Sequence, residues 1–93
     1  MTANSLKRRY LTLEGLVVRR QRELEISNVE LCARLGLKHP TMISAIRSGK
    51  TKLPLACVEQ AAAVLQVDLS ELYAFYLEQY EPTHFHLFRQ VAA

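Results

Sequence analysis

Arg34, Lys38, Arg47, Lys50 and Lys52 fall in a stretch that carries no acidic side chain, between Glu30 and Glu59. Interleaved with them are His39, Thr41, Met42, Ser44, Ala45 and Ser48, which are short, polar or small. Cations without neighbouring carboxylates suit phosphate, which an acidic surface would repel. Hydroxyls and small methyls among them can donate, accept or make apolar contact. Catalytic chemistry has no comparable support. No phosphate-cradling glycine loop, paired carboxylates or nucleophile–base pair occurs, so no enzyme activity is expected. His84 and His86 stand two apart without a Cys or acid ligand at matching spacing, so neither metal nor cofactor is expected. Cys32 and Cys57 lack a CxxC or His-rich frame. They read as small buried hydrophobes in a reducing cytosol, with a disulfide as the alternative.

Helices must position these groups. Only three Gly and three Pro occur, and apolar residues recur with helical rather than alternating period. Thr12 caps a first predicted helix, with Leu13, Leu16, Val17, Arg20 and Leu24 on one stripe; Gly15 weakens it slightly. Ser27-Asn28-Val29-Glu30 is a capping box for a second helix over about 28–35, closed by Gly36, with Ile26 stapling onto Leu31. Pro40 opens a third over about 40–48, with Ile43 and Ile46 inward and Gly49 at its end. The fourth, about 55–65, places Val58, Ala61, Ala62 and Leu65 together. Asp68 caps a fifth with Leu69, Leu72, Tyr73, Tyr76 and Tyr80 on one face. After Pro82, Phe85 and Phe88 favour a short sixth, C-terminal helix. The fold class is all-α.

The segment 27–49 therefore reads as helix, Gly turn, helix, the helix-turn-helix arrangement. Cys32 is small enough for close crossing, and the inward isoleucines free the outward side chains of the third helix. The 93 residues suit one domain, divided as a basic arm over 1–11, a helical body over 12–80 and a C-terminal extension over 81–93. The net charge of +3 conceals a partition: residues 1–52 hold eleven Lys/Arg against four Asp/Glu, and residues 53–93 one against five. Six of seven aromatics follow residue 72. That surplus points to a homodimer surface at Tyr76, Tyr80, Phe85 and Phe88. No apolar run reaches the roughly 18 residues of a membrane span, and no secretory signal is read, so a cytoplasmic protein without a membrane partner is expected.

Ile26 to Cys32, Leu35-Gly36-Leu37 and Ile43 to Gly49, followed by Pro54, Ala61 to Leu65 and Val67-Asp68, resemble the lambda-repressor-like (Cro/XRE) helix-turn-helix family over about residues 12–78. Three departures stand out: Glu25 where Gly is usual, His39 at a cap where small or acceptor-bearing side chains are usual, and a turn before Ile43 one residue longer. The resemblance implies a five-helix lambda-repressor-like domain that binds palindromic double-stranded DNA as a homodimer, its third helix in the major groove. It implies base contacts from His39, Thr41, Ser44, Ala45 and Arg47, and phosphate contacts from Asn28, Lys38, Ser48, Lys50 and Lys52. Lys7, Arg8 and Arg9 match a minor-groove arm found in some members. A domain this small acts most simply as a repressor that occludes a promoter. The alternative is an antitoxin-like module that binds a protein partner and uses DNA only for autoregulation.

Overall fold

Three side chains start three of the helices. Thr12 Oγ1 accepts from the Gly15 N–H at 3.1 Å, Ser27 Oγ from Glu30 at 3.0 Å and Asp68 Oδ2 from Glu71 at 3.0 Å. The Glu30 carboxylate, expected to reach back in a capping box, faces Arg34 at 3.8 Å instead. The computed structural model describes residues 5–83 together with 86, 87 and 90. Among them are α1 (Ser5–Tyr10), α2 (Leu13–Leu24), α3 (Asn28–Leu35), α4 (Pro40–Arg47), a 3₁₀ turn (Leu55–Cys57), α5 (Val58–Leu65) and α6 (Leu69–Tyr80), and no strand. The expected fourth helix is thus a 3₁₀ turn running into α5.

Four turns end their helices in one way. Glu25, Gly36, Gly49 and Gln66 have φ of 56°, 72°, 81° and 57°. The residue after each reaches back to a carbonyl five positions earlier: Ile26 to Gln21 at 2.9 Å, and Leu37 to Cys32, Lys50 to Ala45 and Val67 to Ala62 at 3.0 Å. Gly36 and Gly49 were legible as stops. Glu25 and Gln66 take the same left-handed conformation with a Cβ in place, which disfavours it. At Glu25 this is physically the position where glycine would serve better.

Within the basic arm expected over 1–11, the described residues Ser5–Tyr10 form α1. Leu6 and Tyr10, one turn apart, are each only 5% exposed, and α1 packs on α2 and α6. Burial of two large apolar side chains on one stripe favours a helix over an extended arm. The turn into α2 is tight. Leu11 has φ 65°, and a Cβ on Gly15 would lie 2.8 Å from the Tyr10 carbonyl oxygen. Gly15 therefore allows a close backbone approach that alanine would not.

The core joins Leu16 and Val17 of α2, Leu31 of α3, Ile43 and Ile46 of α4, Ala61 and Leu65 of α5, and Leu72 and Phe75 of α6. Phe75, absent from the expected α6 face, is buried, whereas Leu69 is exposed. The buried stripe of α6 thus runs through Leu72, Phe75, Tyr76 and Leu77. Gln79 ties the far end of α6 to α2: its Oε1 accepts from the Leu13 N–H at 2.8 Å and its Nε2 donates to Glu14 at 2.7 Å. Arg20 serves α5 similarly, with Nε donating to the Leu65 carbonyl at 2.9 Å. Both Glu25 and Gln66 are exposed. Glu25→Gly and Gln66→Gly should each raise stability by about 1 kcal/mol in urea denaturation, because each removes a left-handed Cβ without removing a core contact. A loss of stability in both would contradict the assigned turns.

Candidate nucleic-acid interface

Packing of α3 on α4 fixes which side chains face outward. Leu31, Cys32 and Leu35 are buried on α3, and Ile43 and Ile46 on α4. The Cys32 thiol donates to the Leu37 carbonyl at 3.2 Å, and Cys57 to the Leu35 carbonyl at 3.5 Å. Both cysteines are free and buried, and burial pushes the Cys57 thiol pKa up. They hold the connection between α3 and α4 from beneath. Pro40 occupies the first position of α4, where its missing N–H costs nothing. His39 precedes it as the cap but makes no side-chain capping bond.

Lys38, His39, Thr41, Met42, Ser44, Ser48 and Lys50 are exposed, with Ala45 half-buried among them. Ser48 Oγ donates to the Ala45 carbonyl at 3.1 Å. Six of these positions (38, 39, 41, 44, 48 and 50) thus present polar or cationic side chains on or beside α4.

A buried amide links this surface to α2. Gln21 is 3% exposed, a polar side chain among the buried residues. Its Oε1 accepts from Arg47 Nη1 at 2.7 Å. Its Nε2 donates to the Ile26 carbonyl at 3.1 Å and to Asn28 Oδ1 at 3.0 Å. Asn28 Nδ2 in turn points at Ser44 Oγ, 3.4 Å away. One side chain therefore holds α2, the start of α3 and the end of α4 together. Beside it lies a surface depression of about 340 Å³ lined by Arg22, Glu25, Ser27, Asn28 and Arg47 as well as Gln21. Every buried side-chain nitrogen and oxygen among the described residues has a hydrogen-bond partner.

Gln21 was not singled out in the sequence, where its amide looks like any surface polar group. A signal was present: at position 21 it follows Leu13, Leu16 and Val17 at the spacing of the buried stripe. Arg47, expected to read bases, is half-buried and turned toward Gln21. Lys52, expected on phosphates, pairs with Glu81 at 3.3 Å and lies 5.8 Å from the centre of the Tyr80 ring. Its ammonium is thus engaged at the end of α6.

The expected arm is engaged there too. Lys7 pairs with Glu78, while the guanidiniums of Arg9 and Arg19 lie 5.3 and 5.2 Å from the centre of the Tyr10 ring. Arg8 is exposed on α1. The structure therefore places Lys7 and Arg9 on a packed helix, with α1 against α2 and α6 and α4 against α2 and α3.

Of the residues expected at a dimer surface, Tyr76 is 4% exposed, packed in the core of its own chain and at the wall of a groove it shares with Pro54, Leu55 and Tyr73. Tyr80 is half-buried, its ring edge-on to Tyr76 at 4.9 Å. Phe85 and Phe88 lie outside the described residues, as do His84 and most of the predicted sixth helix. His86 is exposed, and no group of three or more metal-ligating side chains occurs among the described residues. No described helix is long and apolar enough to cross a membrane.

No family model, no curated protein and no solved structure matches the chain. Residues and geometry alone carry its reading.

Burial, then the charge of Glu14, raises the Tyr80 phenol from 10.0 to about 12. The unfolded chain releases this proton more readily, so the contribution of Tyr80 to stability is complete below 10.0 and disappears as pH rises through about 12. Stability measured by denaturation should fall across that window, and Tyr80→Phe should flatten the fall. An unchanged profile in the variant would contradict the assigned environment.

Proposed function

We propose that the chain is a lambda-repressor-like, sequence-specific DNA-binding protein. In this reading it acts in the cytoplasm as a homodimeric transcriptional repressor. The observation that carries this reading is α4 (Pro40–Arg47), a helix with no acidic residue of its own, held against α2 and α3 by the buried Gln21 amide. Thr41, Ser44 and His39 offer hydrogen bonds to base edges in the major groove, and Ala45 offers a methyl to thymine. Lys38, Lys50, Ser48 and Asn28 contact the backbone and set affinity. Arg47 acts mainly as the anchor of α4, because its guanidinium already bonds to Gln21.

The corrected positions reshape the rest of this reading. Lys7 and Arg9 support packing of α1 rather than a minor-groove arm, and Lys52 supports the end of α6. A dimer surface is assigned to the face where Pro54, Leu55 and Tyr73 line a groove whose rim carries Lys52 and Glu81. Leu55 is 54% exposed there, and the paired rim charges remove net repulsion between two copies.

An electrophoretic shift assay against the region upstream of its own gene tests the reading. It should show sequence-selective retardation by two chains per site, on half-sites about 10 base pairs apart, weakening steeply with salt. Thr41→Ala should relax preference at one base position. Lys50→Ala should weaken all sequences alike and reduce the salt slope by about 1 per protomer. No selective retardation at moderate salt would overturn the proposal.

A further inference from the structure

We infer that Gln21, although buried behind the surface, is a positioning residue that makes Asn28 a donor toward phosphate. This inference rests on the DNA reading above, where Gln21 only holds α4 in place, and adds a role for it in orienting Asn28. The chemistry of its neighbours fixes the polarity of the Gln21 amide. Arg47 carries only donors, so the end of the amide facing it at 2.7 Å must be Oε1. The Ile26 carbonyl carries only lone pairs, so the end facing it at 3.1 Å must be Nε2. With both ends fixed, the hydrogen bond to Asn28 at 3.0 Å runs from Nε2 to Oδ1. Asn28 therefore turns its carbonyl inward and its amino group away.

That orientation has a direct consequence for an anion. The non-bridging oxygens of a phosphodiester accept hydrogen bonds, so an outward Nδ2 attracts them and an outward Oδ1 repels them. Among the described residues Nδ2 reaches one acceptor, Ser44 Oγ at 3.4 Å, a long contact that leaves its other N–H for a phosphate. The same Gln21 amide fixes Arg47, so the phosphate donor on α3 and the anchor of α4 share one origin. A displacement of either is felt by the other. Gln21 thereby couples backbone contact to the placement of the base-reading face.

Two variants separate this role from simple packing. In Gln21→Glu a carboxylate keeps Arg47 as partner but has no donor for Asn28, whose amide must turn over and present Oδ1 outward. In Gln21→Met all three hydrogen bonds go while a chain of similar length remains. Side-chain amide exchange by NMR on the full chain without DNA should show protected Gln21 Nε2 protons and faster-exchanging Asn28 Nδ2 protons in the wild type. Gln21→Glu should protect the Asn28 protons instead.

Affinity for a mixed-sequence duplex at low salt should fall about tenfold in Asn28→Ala and comparably in Gln21→Met. In the Asn28→Ala background, Gln21→Met should have less than about a twofold further effect on this sequence-independent affinity, because the Arg47 anchor serves base reading, which a mixed-sequence duplex does not report. Protected Asn28 Nδ2 protons in the wild type would overturn the inference, and so would multiplying effects of the two substitutions. Failure of the wild type to bind any duplex would overturn the DNA reading and the phosphate role together. The amide pattern measured without DNA distinguishes that failure from a wrongly assigned orientation.

Discussion

The hydrogen bonds of the Gln21 side chain are the constraint around which the rest of this molecule is arranged. A fully buried amide must satisfy both its donors and its acceptor inside the protein, since an unpaired buried polar group costs about 1–3 kcal/mol. Gln21 meets that demand by recruiting the turn after α2, the first residue of α3 and the last residue of α4. The relative placement of three helices is thereby tied to one set of complementary polar atoms. Apolar contacts supply most of the energy of the core, but they tolerate sliding more readily than a three-way hydrogen-bonded joint does.

Cations are divided between two structural uses. Lys7, Arg9 and Lys52 are committed at the end of the molecule formed by α1 and α6, through Glu78, Tyr10, Glu81 and Tyr80. Lys38 and Lys50 remain exposed beside α4. The basic half of the chain is therefore less uniform than its net charge suggests. Its strongest cluster in sequence, Lys7-Arg8-Arg9, lies on a helix packed against α2 and α6. In the proposed reading, a few cations around an acid-free helix matter more than the total.

Elements whose cause is local were legible in the sequence. Thr12, Ser27 and Asp68 mark helix starts because their side chains bond to N–H groups three residues on, and Gly36 and Gly49 mark ends because glycine tolerates positive φ. Ile43 and Ile46 were legible as the inward side of α4. What was not legible depends on distant partners. Leu6 and Tyr10 become a helix only because α2 and α6 cover them. Tyr76 looks like a surplus aromatic until Phe75 beside it is seen to fill the core. Gln21 looks like a surface residue until Arg47, 26 positions later, arrives to use its oxygen. Glu25 and Gln66 end helices without glycine because tertiary packing outweighs their local preference.

The central claim is that the face of α4, joined to α3 through Gln21, is the nucleic-acid surface. Backbone amide shifts recorded by NMR during titration with a short palindromic duplex test it most directly. The account predicts that the largest changes fall at Asn28, Lys38, His39, Thr41, Ser44 and Lys50, with little change at Lys7, Arg9 and Tyr80. Changes centred on α1 and the end of α6, leaving α4 unmoved, would contradict it.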